Sequence, residues 1–95
     1  MTYTIIGYTN SPVSHKNDKT GEWTTTQEIH LITTTPINPH EGYGVQPKKF
    51  WIETNNFSLI YKGKKTPEEM LGKECYITVD GIYNHIGSLA FVDEM

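Results

Sequence analysis

Ninety-five residues, with 13 Thr, 6 Tyr, 3 Phe and 2 Trp, bound the chain to one domain weighted toward pleated sheet. A net charge of −3, with eight lysines and no arginine, counts against nucleic-acid binding by the molecule as a whole and leaves only local groups of lysines to support it. One cysteine excludes an internal disulfide, no run approaches the roughly 20 apolar residues of a membrane span, and the start Met-Thr-Tyr-Thr-Ile-Ile has no export-signal pattern, so a reduced cytoplasm and no membrane are expected.

Thr2–Thr9 reads as a first strand, with Tyr3 and Ile5 on one face and Ile6 and Tyr8 on the other. Pro12 lacks a ladder donor and is expected to interrupt it, with Val13 and Ser14 resuming. His15–Gly21 is a polar turn cluster in which Gly21 takes the positive φ. Trp23–Thr35 is a long second strand whose core contacts are Ile29 and Leu31. Together these form a long hairpin with a basic tip.

Pro36–Pro47 holds three prolines and two glycines and is expected to be a long structureless loop, either a surface wrap or functional. In Lys48–Thr54, Phe50 and Ile52 face in while Lys49, Trp51 and Glu53 face out. Phe57–Lys62, with Phe57, Leu59 and Tyr61 on one face, forms either a hairpin with that strand or its bent continuation. Thr66-Pro67-Glu68-Glu69 predicts a short helix: Thr66 caps, Pro67 suits the first turn and Glu69 completes a capping box, with Gly72 as the stop.

The densest strand signal is Gly72–Val92. Cys75, Ile77 and Val79 point inward in alternation, and Cys75 reads as a small buried hydrophobe. Asp80-Gly81 breaks the phase as a turn or a bulge, after which Ile82 points inward. Leu89–Val92 returns as the last strand.

Five strands with a capped helix between the third and fourth match an all-β, five-stranded oligonucleotide-binding (OB) Greek-key barrel. Ser11–Thr34, a basic wing ending in Gly21-Glu22-Trp23 before a long strand, resembles the first hairpin of the filamentous-phage single-stranded DNA-binding, or helix-destabilising, proteins. Tyr76–Val92, with its Gly87-Ser88-Leu89 return, resembles that family's last hairpin. The two stretches cover about half the chain by eye, and motifs this short are of moderate specificity. The resemblance implies a symmetric dimer that coats single-stranded DNA cooperatively in replication. Carried over by position, it makes Lys16 and Lys19 the wing cations, Trp23 the wing aromatic and Tyr83 an aromatic of the last hairpin; Leu31 stands where the family has a stacking tyrosine.

Single strands are held by cations on phosphates and by aromatic faces under bases. Lys49 and Trp51 on the outward face of one strand, and Lys62, Lys64 and Lys65 in the following loop, complete the candidate set. Each has a plain structural alternative: Trp51 covers the barrel edge or lies under the long loop, Trp23 packs in the core, and the Lys62–Lys65 group is a solvated stretch neutralised by Glu68 and Glu69. Tyr61 belongs with the core. His15, His30, His40 and His85 show no metal-ligand spacing with one another or with Cys75, and no nucleophile motif is present, so no cofactor and no enzymatic activity are expected. Two rival readings stand: a protein-interaction module working through Pro36–Pro47, with Tyr43 between two glycines, and a bare dimerisation or capsid-type domain.

Overall fold

A computed structural model describes residues 1–61 and 65–95. Its elements are β1 (Tyr3–Lys16), β2 (Trp23–Pro36), β3 (Val45–Glu53), α1 (Thr54–Ile60), α2 (Pro67–Met70), β4 (Glu74–Val79) and β5 (Ile86–Phe91), followed by a single 3-10 turn. The five strands form one antiparallel sheet in the order β3-β2-β1-β4-β5.

The expected barrel is not closed. Among the described residues, β3 meets the β5 side of the sheet in one isolated parallel bridge, Trp51 to His85 just before β5. The chain leaves β3 at Glu53 and turns straight into α1, so no described strand runs beside β5 on that side. At the other seam, β1 pairs with β4 only at Tyr3 and Thr4, reinforced by Gly72 N–H to Ile5 O at 2.7 Å and Ile5 N–H to Lys73 O at 3.1 Å.

β1 runs without interruption to Lys16, correcting the break expected at Pro12. Among the described residues no strand pairs with the β4 side of β1 beyond residue 4, so Pro12 sits on an open edge where its missing N–H costs the ladder nothing. The irregularity lies earlier. Register shifts between Ile5 and Gly7, which leaves Ile6 exposed and brings Tyr8 opposite Leu31, against the core rather than beside Ile6.

The core is built as the alternation predicts from Ile5, Ile29, Leu31, Phe50 and Ile52, joined by Cys75, Ile86, Leu89 and Phe91. Tyr3 meets Phe50 edge-on at 4.9 Å. Thr33 and Thr35 are buried polar residues, and each hydroxyl is satisfied by a carbonyl, Lys48 O at 2.8 Å and Thr2 O at 3.3 Å.

Of the expected strand Phe57–Lys62, residues 57–61 are not a strand, and Lys62 lies outside the described residues. Thr54–Ile60 is a helix that buries Phe57 and packs Ile60 and Tyr61 on the core, while Leu59 is exposed. Phe57, Ile60 and Tyr61 have helical spacing as readily as Phe57, Leu59 and Tyr61 have strand spacing, and a run this short fits both. α2 forms where the capping box places it, with Thr66 Oγ1 accepting from Glu69 N–H at 3.3 Å and Met70 buried beneath. The expected loop Pro36–Pro47 is shorter, because β3 already begins at Val45. Val79 and Ile82, expected inward, are both exposed: a register shift after Thr78 ends the alternation, and residues 80–84 form a turn rather than a continuing strand.

Candidate nucleic-acid interface

Six of the nine predicted site residues fall into two patches. The first is the hairpin tip. Asn17 organises it: its side-chain oxygen accepts from Lys19 N–H at 2.8 Å and Thr20 N–H at 3.3 Å, and its carbonyl accepts from Gly21 N–H at 2.7 Å. Gly21 takes φ 72°, as the turn requires. This pins the register so that Lys16 lies directly across from Trp23. Trp23 is 68% exposed, which excludes it from the core. Below the tip the ladder is tied by Ser14 with Thr25 at 3.0 Å and by Gln27 to Asn10 at 2.9 Å.

The second patch lies on the outer face of β3, beside the β4–β5 turn. Trp51 is half-buried there, paired with His30 across β2 and set edge-on to the His85 ring at 4.7 Å. Its N–H donates to Asn84 O at 3.2 Å, and the Asn84 amide returns a bond to Lys49 O at 3.2 Å. Tyr83, the residue before Asn84, is 82% exposed in this turn. Gly81, Tyr83 and Asn84 have φ of 102°, 57° and 61°. Left-handed backbone at Tyr83 is strained, and strain held in place by surrounding bonds concentrates at functional loops.

Two imidazole–carboxylate groups flank Trp51, and reading the sequence alone missed both. Glu28, only 3% exposed, accepts from His15 Nε2 at 2.8 Å and faces His30 Nε2 at 3.2 Å. His85 lies between Asp80, at Nδ1, and Glu53, at Nε2, 2.9 Å from each carboxylate oxygen. The hydrogen bond to Glu53, then that to Asp80, raises the His85 pKa. Burial pushes the Glu53 carboxyl up, but bonds from His85, its own backbone and Asn56 outweigh this and leave it below the usual range. The i, i+2 spacing of Glu28 and His30 on one strand was a usable signal; the cross-strand partners needed the register.

Lys65 does not join either patch. It pairs with Asp93 at 3.0 Å and Glu94 at 3.4 Å and lies 5.2 Å from the centre of the Phe91 ring, drawn to the chain's acidic tail instead. Its pKa is raised by the bond to Asp93. Lys62 and Lys64 lie outside the described residues. Lys48 turns to the other face of β3, over Tyr3 and Phe50. Along β3, therefore, Trp51 has Lys49 two residues before it and the carboxylates Glu53 and, across the ladder, Glu28 two residues after it.

Among the described residues no group of three His, Cys, Asp or Glu is arranged to hold a metal ion, and no helix is long and apolar enough to cross a membrane. No protein-family model, curated protein or solved structure matches the chain.

Proposed function

We propose that this chain is a single-stranded DNA-binding protein of a phage, plasmid or mobile element, acting in the cytoplasm as a homodimer that coats the strand by lysine–phosphate contacts and aromatic stacking. The carrying observation is the tip of the first hairpin, where an exposed indole stands directly across the ladder from a lysine. An apolar ring of that size held out in water on an otherwise polar arm is suited to a flat partner such as a base, and the ammonium group beside it is suited to the phosphate one linkage away. Lys19 in the turn adds a second cation. The Lys49–Trp51–Tyr83 patch supplies a further stacking platform, and the strand order agrees with an oligonucleotide-binding sheet.

The mechanism is electrostatic docking followed by stacking. Each base stacked on an aromatic contributes about 1–3 kcal/mol, so two or three rings give useful affinity on an acidic body. Three engaged lysines, Lys16, Lys19 and Lys49, correspond to a fall of about 2 in log affinity per tenfold rise in salt. Titration with an oligo-dT strand at low salt tests this: tryptophan emission is quenched with that salt slope, and absence of quenching overturns the reading.

A second reading is favoured by Tyr43, 93% exposed in the loop between β2 and β3. Beside the loop a cleft of about 440 Å³ is lined by Met1, Thr35, Pro36, Ile37 and Pro39. It suits a protein partner docked through the loop, and a nuclease-resistant complex lost on Tyr43→Ser would favour it over DNA binding.

A further inference from the structure

β3 and the β4–β5 turn meet at the Trp51–His85 bridge, and the His85 side-chain contacts beside it depend on a proton. A neutral imidazole has one N–H and one acceptor nitrogen. His85 has a carboxylate oxygen at both nitrogens, Asp80 at Nδ1 and Glu53 at Nε2. Only the doubly protonated ring donates to both. When the proton leaves, one nitrogen lone pair faces a carboxylate lone pair, and that side of the contact becomes repulsive.

We propose that His85, as imidazolium, is a positioning residue: it clasps the β4–β5 turn to the end of β3, holding Asn84 against the Trp51 backbone, and releases the turn as it loses its proton. Across this seam Phe50 and Ile52 of β3 share the core with Ile86 and Phe91 of β5, and two hydrogen bonds lie beside the clasp. The backbone contributes Trp51 N–H to Asn84 O at 3.2 Å, and the side chains contribute Asn84 to Lys49 O at the same distance. The remaining sheet neighbours of β3 and β5 lie on their other sides. The turn itself carries left-handed backbone at Tyr83 and Asn84 and is closed by Asp80 N–H to His85 O at 2.9 Å and His85 N–H to Ile82 O at 3.3 Å.

The charged and titratable groups facing His85 are Glu53 from β3 and Asp80 from the turn. Directly across the ladder from Glu53 stands Glu28 of β2, itself bonded to His15 and His30, and Lys49 lies two residues before Trp51 on β3. The local balance is thus two carboxylates on one imidazole, and it favours the proton.

This inference does not depend on DNA binding, and its readouts use the free protein. In Trp23→Phe, Trp51 is the remaining tryptophan. Its emission and the protection factor of its backbone amide against hydrogen exchange are followed from about pH 5 to about pH 9, across the ordinary histidine value of about 6.5. Both change with one midpoint above that ordinary value, and amide protection is lost on the alkaline side. Glu53→Gln moves the midpoint down, and His85→Gln abolishes the transition. Constant Trp51 amide protection over this range overturns the proposal, as does a transition that survives His85→Gln. Should His85→Gln fail to fold, the Glu53→Gln midpoint decides: unmoved, it overturns the clasp.

Discussion

Trp23 and Trp51 belong to opposite faces of one strand ladder. Trp23 is in phase along β2 with Ile29 and Leu31, whereas Trp51 pairs with His30 on the other face. A strand of DNA that touches both indoles must pass around the edge of the sheet rather than along a single groove. The two contacts should therefore act independently. Trp23→Ala and Trp51→Ala are each expected to weaken oligo-dT binding by about 1–3 kcal/mol, and the double variant by about their sum. In the free protein, iodide should quench Trp23 more strongly than half-buried Trp51, which the two single Trp→Phe variants resolve.

The pairing of His85 with Glu53 predicts a stability maximum in mildly acid solution. The folded-state pKa of His85 is raised from 6.5, so its contribution is fully present below 6.5 and is lost as pH rises through the raised value. The folded-state pKa of Glu53 is lowered from 4.5, so its contribution is present above 4.5 and is lost as pH falls through the lowered value. Both act together between those limits. Urea midpoints of the wild type and of His85→Gln should differ most in that window and converge as pH rises above it. A difference that does not depend on pH would contradict the pairing.

Cys75 should be chemically silent in the native state. It is fully buried, its thiol lies 3.5 Å from Tyr3 O, and burial pushes its pKa up from 9.0 to about 12. The thiolate is the reactive form, so a disulfide-exchange reagent at pH 8 should label the folded protein only at the rate of opening, and the urea-unfolded protein at once. Since the unfolded thiol ionises first, this residue also erodes stability as pH rises above 9.0.

Gly7 is held to glycine by its neighbour across β2. A Cβ there would stand 3.0 Å from Ile32 Cδ1 and 3.2 Å from Ile32 Cβ. The Cδ1 end can swing away, but the Cβ cannot without moving β2. Gly7→Ala is expected to cost about 1–3 kcal/mol, and Ile32→Val in the same chain should recover part of it. Chemical denaturation of the four-member cycle gives the coupling.

Thr66→Ala removes the acceptor of Glu69 N–H and the hydroxyl that bonds the Glu69 carboxylate at 3.2 Å. The expected cost is about 1 kcal/mol, read as a lower urea midpoint with unchanged slope. Serine at the same position should restore most of it.

Legibility followed the range of each interaction. The long hairpin, Gly21 in its turn, the inward set Ile29, Leu31, Phe50 and Ile52, and the Thr66 cap are all set within a few residues by alternation or by a local hydrogen bond, and each could be read along the chain. Residues 54–61 could not, because one short apolar run satisfies both periods and only packing against the core chose the helix. Tyr8 was misassigned for a related reason: a single extra residue at the bulge reverses every later side chain, and nothing in Ile5-Ile6-Gly7 announces it. Lys65 could be seen as a cation but not as one committed to Asp93 and Glu94, nearly thirty residues further along.

By its sequence alone, the chain determined that it would be a sheet, where its first turn and its capped helix fall, and which side of β2 and of the end of β3 is apolar. These depend on backbone preferences and on neighbours near in the chain. Tertiary structure alone decided that the sheet stays open, that the two indoles part to opposite faces, and that His85 is gripped by two carboxylates beside Trp51. Glu53 and His85 are separated by 32 positions, and their separation in space follows from strand register and from where β3 gives way to α1. Those are properties of the assembled sheet, so the site's charges acquire partners only once the sheet has formed.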